Sequence, residues 1–554
     1  MSRAIARLVG SIILTALVSA SGLLAAPLNV SDTAMERFLQ APFQFDYTAV
    51  TDAASLHNLV AALDHELAVI SCRQVEEFLR APDDSAVSRD FRQGLEDRYR
   101  TIMTDGYLFK KLADWRATIA DSVDGAFIDL VMQQYEERQV DPAVIREATE
   151  LARSIAERLY GFVFSVDQRR FDARQAAAII ADSAGSDLAR RLYRLQNDSA
   201  RTLGDHAAQL YRMYNRMGQR HGFRTSLDYT LSRYALAPSA WLAVADSLTG
   251  FTEAEYRRCL ESFRAQNGQS DPALFEIDQF LHEGAQLPDS FFTVAKVDSA
   301  VAAIFRRCGL DSLLGRLTVT VVDSASWEAV AVRVDPPYRT RLLEGSGGGF
   351  EFYRRRVTET ARALPWVFTD SALPSLLRDY PPGTEEMLTA TFEQTALDSA
   401  FLVDRFAIPA SLVSRFAVFE RWQTIFRIRQ VALFYYLDYY LSKNDSARPD
   451  SLYWSLESLL LGTSDSTSQW IETLITGELQ KYPKWLAHIF SRTKLSEMLY
   501  GRFGDRWVTD PRAGRFIVDS FCRPGRSQTM KQFVERNSSA PWSVDDLQRQ
   551  LQLK

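Results

Sequence analysis

Between Pro142 and Phe164 the apolar residues Val144, Ile145, Ala148, Leu151, Ile155, Leu159 and Val163 return every three or four positions, behind an Asp141-Pro142 start. That spacing lays one apolar stripe along an α-helix and does not suit a half-buried strand, whose period is two. The same pattern covers Leu188 to Met217, closed by Gly218 and Gly222. It recurs over Asp246 to Gln266, Lys296 to Arg307, Leu412 to Leu441 and Trp485 to Leu499. Helices with one apolar face must bury it against one another, so the expected fold is mostly α. No repeat period is evident, and no Gly/Ser-rich or Pro-rich stretch divides the chain. Its 554 residues, 46% of them hydrophobic, are therefore read as one large unit.

One region departs from this pattern. Leu317, Val319 and Val321 alternate along Arg316 to Val322, and Val330, Val332 and Val334 alternate with Trp327, Ala329, Ala331 and Arg333. These predict two strands joined through Asp323 to Ser326, a small antiparallel sheet. Asp335-Pro336-Pro337 should end the second strand, because proline has no N–H to give a ladder. Gly345-Ser346-Gly347-Gly348-Gly349 then reads as a flexible loop, lacking the Gly-Lys-Ser/Thr ending of a phosphate cradle. A helix is predicted from Glu351 to Leu364, stopped by Pro365. Another begins near Thr384, its N-cap, after Pro381-Pro382-Gly383.

At the N-terminus Arg3 and Arg7, an uncharged apolar run from Leu8 to Val18, and small residues offering cleavage after Ala20 or Ala26 predict a signal peptide over residues 1–26. An uncleaved anchor is the alternative, disfavoured by the interrupting Gly10, Ser11, Thr15, Ser19 and Ser21. The remainder, 27–554, is expected to be exported to a periplasmic or extracellular location. No later apolar run approaches membrane-spanning length. The formal charge of −6, less the two leader arginines, is −8, which argues against nucleic acid as a partner. Cys72, Cys259, Cys308 and Cys522 form no CxxC pair, so a cysteine metal site is not expected.

Catalytic motifs are sparse. No His-Glu-x-x-His occurs: His65-Glu66 has Val69 four residues after the histidine, and His282-Glu283 has Gln286 there. Ser346 and Ser464 sit outside any Gly-x-Ser-x-Gly elbow. Acidic pairs such as Glu385-Glu386 could serve glycoside hydrolysis, but sequence spacing does not set a carboxylate gap, and exposed acids are commoner.

From the two strands onward, the order of elements resembles the helical gluzincin metallopeptidases, the group of thimet oligopeptidase, oligoendopeptidase F and angiotensin-converting enzyme. In those enzymes a small sheet and a turn precede a helix bearing His-Glu-x-x-His, and a glutamate on the next helix completes the zinc site. Here Asp335 to Arg339, the glycine turn and Val357-Thr-Glu-Thr-Ala-Arg-Ala-Leu364 stand in those places. Thr358 and Arg362 fall at the two histidine positions and Glu359 at the general base. Glu386 falls at the third ligand, with Glu385 as the other register. Trp470 to Leu479 is similar to the family segment ending in Gly-Glu-Leu, with Trp470 and Thr473 where tyrosines belong. Phe503 to Ser527 and Asn215 to Asp228 extend the likeness, which is collinear from Glu147 to Leu551.

The resemblance implies a mostly α, two-lobed ellipsoid with a central groove and a small antiparallel sheet beside the former active-site helix. Residues 27–310 would form mainly the N-terminal lobe and 311–554 mainly the catalytic-like lobe. It also implies that the chemistry is lost. A threonine hydroxyl is a poor zinc ligand, and arginine has no lone pair to give. At about 4 Å and an effective dielectric near 20, its charge would repel a dication by roughly 8 kcal/mol. No catalytic residue, no metal and no cofactor are therefore expected, with Glu359 a vestigial base and Thr358, Arg362 and Glu386 vestigial ligand positions. Arg362 is expected to stand where the zinc would, paired with Glu386 and Glu359. The expected role is peptide binding or scaffolding. The alternatives are an active zinc oligopeptidase with a different metal site, and a non-catalytic partner subunit of an intact peptidase.

Overall fold

The computed structural model describes residue 39 and residues 49–551, except 81–85, 120–122, 139–141, 183–185, 221, 233–237, 269–271, 323–328, 335–338, 346, 381–384, 445–446, 464–468, 476–493, 538–546 and 549–550. The signal-peptide segment, Thr384 and most of the Trp485 to Leu499 helix lie outside these residues.

The first half is helical: α1 Ala53–Arg80, α2 Ala86–Met103, α3 Gly106–Arg116, α4 Val123–Arg138 and α5 Pro142–Gly161 come first. A hairpin of β1 Val163–Val166 and β2 Arg169–Asp172 follows, then α6 Ala173–Asp182, α7 Asp187–Arg201, α8 Gly204–Arg220, α9 Ser226–Ser232, α10 Pro238–Asn267, α11 Leu274–Gly284, α12 Val294–Arg307 and α13 Asp311–Arg316. The second half holds β3 Thr318–Val322, β4 Val330–Val334 and β5 Arg339–Gly345, then α14 Phe350–Arg362, α15 Leu364–Phe368, α16 Glu385–Ala396, α17 Ser399–Phe406, α18 Ala410–Lys443, α19 Pro449–Leu461 and α20 Gln469–Ile475. A helix over 494–503 (α21), α22 Pro511–Phe516 and α23 Met530–Asn537 complete the chain, with a π-helical turn at Ile517–Cys522. Among the described residues no helix is long and apolar enough to cross a membrane.

Two local expectations change. The helix predicted to reach Phe164 ends at Gly161, and Val163 begins a hairpin whose turn residues Asp167 and Gln168 both take positive φ, 50° and 65°. The predicted Leu188 to Met217 helix is broken at Thr202 and Leu203 into α7 and α8.

The sheet beside the site also differs from the two-stranded antiparallel reading. β5 lies between the two predicted strands: β3 pairs with it in parallel and β4 antiparallel, giving the order β3-β5-β4. β4 ends at Val334, the proline pair lies outside the described residues, and β5 is the central strand, burying Thr340 and Leu342.

Two large apolar cores organise the helices. One gathers α5, α8, α10 and α11 with the C-terminal two-thirds of α18, α19 and α20. The other gathers α12, β4, β5, α14, α16, α17 and the tail. Helix α18, 34 residues long, joins them: Val413 and Phe416 sit in the second core, and Phe419 to Leu441 in the first. Its abrupt start follows Ala407, held at φ 56°. A third core binds α1, α3 and α4, and Leu373 and Leu377 from the second half enter it. There Asp64 of α1 accepts the N–H groups of Ser375 (2.6 Å) and Leu376 (3.0 Å), and α1 packs on β4.

Candidate functional site

Helix α14 is fixed at its first residue. Gly349 takes φ 117°, a conformation open to glycine, and its N–H donates to Phe292 O at 2.9 Å. A Cβ at Gly348 would stand 2.6 Å from that carbonyl, and Asp289 accepts the Phe350 N–H at 2.8 Å. Gly348 and Gly349, at the end of the run read as a flexible loop, thus make a close-fitting helix entry. At the other end α14 stops at Arg362, and Pro365 starts a new short helix, where its missing N–H costs nothing.

Glu359 faces inward with 2% of its surface exposed. Its Oε2 accepts the backbone N–H of Ala331 on β4 at 2.9 Å, and its Oε1 accepts Arg362 Nη1 at 2.6 Å. Because β4 is an edge strand, that N–H points away from β5 and is taken by the helix. Burial pushes the Glu359 carboxyl above the ordinary carboxylate range. Arg362, the Ala331 N–H and Arg355 offset this only in part, and the charge of Glu385 reinforces it.

The expected Arg362 pair is half right. Arg362 does hold Glu359, but its partner on α16 is Glu385, with Nε 2.6 Å from Oε1, and not Glu386. Successive helical residues point about 100° apart, so one position decides which acid meets the guanidinium. Glu386 is turned into the protein and buried. Burial works against the Arg362 charge, yet the carboxylates of Glu359 and Glu385 outweigh it and keep the guanidinium protonated. The Tyr380 hydroxyl donates to the Arg362 carbonyl, and Asp379 beside it is held by Trp366 Nε1 (3.1 Å) and Arg526 Nη2 (2.9 Å). Sequence reasoning passed over Tyr380 and Ala331 because neither carries a motif.

Thr358 lies on α14 and donates its hydroxyl to Arg355 O at 3.0 Å. Trp470 and Thr473 lie in α20: Trp470 Nε1 donates to Asp450 at 2.7 Å and Thr473 to Gln469 O at 2.9 Å. The Gly-Glu-Leu that follows lies outside the described residues. Glu66 is engaged by Arg98, and Gln286 bridges His282 (3.4 Å) and Glu351 (3.1 Å).

The fold that carries this site is that of the helical M3 and M32 zincin peptidases. Among solved structures, the chain is similar to PZ peptidase A with an inhibitor, at TM-score 0.62 and 10% identity over 96% of this chain and 97% of that one. It is also similar to Trypanosoma cruzi metallocarboxypeptidase 1 (0.62, 11%, 90% and 99%) and Pyrococcus furiosus carboxypeptidase (0.61, 12%, 92% and 99%). At these identities the likeness is one of fold. No family model matches the sequence, and no curated protein does.

The zinc that this fold implies does not suit the residues at these positions. Thr358 spends its hydroxyl on the helix backbone, and a permanent cation stands at residue 362 between two acids. Among the described residues, no group of three or more His, Cys, Asp or Glu side chains is arranged to hold a metal ion.

Proposed function

We propose that this chain is an exported, non-catalytic protein on a metallopeptidase fold, with a peptide-binding or scaffolding role. One observation carries the reading: the guanidinium of Arg362, at a position the resemblance assigns to a zinc ligand, is clamped by Glu359 and Glu385. Glu359 can act as a base on such a water only if a cation lowers the water's pKa, and here its proton-accepting oxygens are committed to Arg362 and Ala331. A fold shaped around extended peptides need not lose binding when it loses chemistry.

Purified protein is expected to carry no stoichiometric zinc and to leave quenched fluorescent peptides uncut, with or without added zinc, while a peptide array retains binders. One tightly bound zinc per chain together with chelator-sensitive cleavage would sink this reading in favour of an active oligopeptidase. Recovery of an intact peptidase as a stoichiometric companion, with no peptide bound, would favour the partner-subunit role. Export is checked separately. The mature N-terminus is expected at Ser21 or Pro27, and N-terminal sequencing that finds Met1 on the exported protein overturns it.

A further inference from the structure

We infer that helix α8 and the turn after it present an arginine stripe that binds an acidic peptide in extended form. Residues 206–227 hold four arginines, Arg212, Arg216, Arg220 and Arg224, and no aspartate or glutamate, in a chain whose formal charge is −6. All four are exposed. The first three recur every four positions on α8 and so climb one side of it, while Ala207, Leu210 and Met213 bury the other side in the first core. The fourth is held beside them by the fold. The chain turns at Gly222, φ 80°, and comes back onto the end of α8: a Cβ on Gly218 would stand 2.7 Å from the Ser226 backbone, Asn215 accepts the Ser226 N–H at 3.2 Å, and Gln219 donates to Arg224 O at 3.4 Å.

Like charges four residues apart work against a helix, and among the described residues no acid pairs with Arg212, Arg216 or Arg224. The fold gains nothing from the stripe, and its counter-charge is a partner's. Successive arginines stand about 6 Å apart along the helix axis, and side chains on one face of an extended peptide repeat about every 6.6 Å. A peptide with acids at alternate positions therefore meets Arg212, Arg216 and Arg220 in turn, each guanidinium offering paired N–H groups to a carboxylate. The chain's overall excess of acid works against a nucleic acid as the partner. The inference rests on the peptide-binding reading above and gives the class of peptide. Its failure shows in charge-reversal variants, whereas failure of the non-catalytic reading shows as zinc and cleavage in the natural protein.

The test is fluorescence anisotropy of the full mature chain at neutral pH with two labelled peptides of equal composition, one alternating Glu and Thr and one carrying them in two blocks. The alternating peptide should bind more tightly, and its affinity should fall as sodium chloride is added. Arg212→Glu/Arg216→Glu should weaken that binding roughly tenfold or more. Arg170→Glu/Arg174→Glu, the same charge change on exposed arginines of β2 and α6, should weaken it by less than about threefold. Arg212→Gln/Arg216→Gln removes charge without adding any and should fall between, which keeps the test open if the reversal does not fold. The inference is overturned if the block peptide binds as well as the alternating one, if the two reversals weaken binding alike, or if oligothymidylate binds more tightly than the peptide. Failure of the alternating peptide to bind while other peptides do overturns the stripe and leaves the peptide-binding reading in place; failure of every peptide overturns both.

Discussion

Arg354→Ala is expected to destabilise the folded chain by about 3–5 kcal/mol at neutral pH, among the largest effects of any single change near the site. Arg354 lies two turns before Arg362 on α14, with only 11% of its side chain exposed. Three carboxylates surround it: Glu393 of α16 at 2.7 Å, Glu420 of α18 at 3.2 Å and Glu351 of α14 itself at 3.8 Å. Burial opposes its charge, but Glu420, Glu393 and Glu351 outweigh that and hold it firmly protonated. Removing the arginine takes the shared counter-charge from three acids, each less than a quarter exposed, where like charges and a low dielectric compound each other. Arg354→Lys keeps the charge but not the planar fork, and should fall between. Urea unfolding decides the matter. A loss under about 1 kcal/mol, typical of surface pairs, would show that the cluster is solvated.

What the sequence makes legible here is what local spacing controls. The α18 stripe from Leu412 to Leu441 is continuous, and the observed helix exceeds it by two residues at each end. Glu359 and Arg362 are three apart on one helix, so their contact follows from helix geometry once the helix is recognised. Relations that cross between elements are hidden. Glu385 and Glu386 are identical in type and adjacent, and only the docking of α16 on α14 decides which meets Arg362. Strand β5 carries Arg339, Thr340 and Arg341 one residue after a proline pair, a composition that suits a loop. It becomes a central strand because β3 and β4 both have hydrogen-bonding edges to satisfy. The hairpin at Val166 to Arg169 turns on Asp-Gln and not the usual Asn-Gly or Asp-Gly, so its signal is weak. The Arg354 cluster joins residues 39 and 66 positions apart, a juxtaposition with no signature along the chain.

Asp438→Asn is expected to make the protein more stable above neutral pH and to leave it unchanged in mild acid. Asp438 lies on α18 within the first core, and Tyr211 of α8 donates its hydroxyl to Oδ1 at 2.7 Å and to the Asp438 carbonyl at 3.1 Å. Burial raises its carboxyl to about 7; the Tyr211 bond pulls the other way without prevailing, and Asp228 of α9 adds to the rise. In the unfolded chain an ordinary aspartate releases its proton near pH 4. Between pH 4 and 7, then, the folded state holds a proton that the unfolded state has lost. Stability falls as pH rises through this window and levels off above it, by about 4 kcal/mol in all for a three-unit difference. Glu359, also raised by burial, slopes the same way, so the natural curve alone does not isolate Asp438. The difference between the two proteins does. Asparagine keeps the shape and the Tyr211 acceptor but cannot ionise, so its curve should meet that of the natural protein near pH 4 and stand a few kcal/mol above it at pH 8. Urea midpoints measured from pH 4 to 8 on both proteins check this. Curves that run parallel across that range would mean that Asp438 is already ionised in the fold, with Tyr211 bonding a carboxylate.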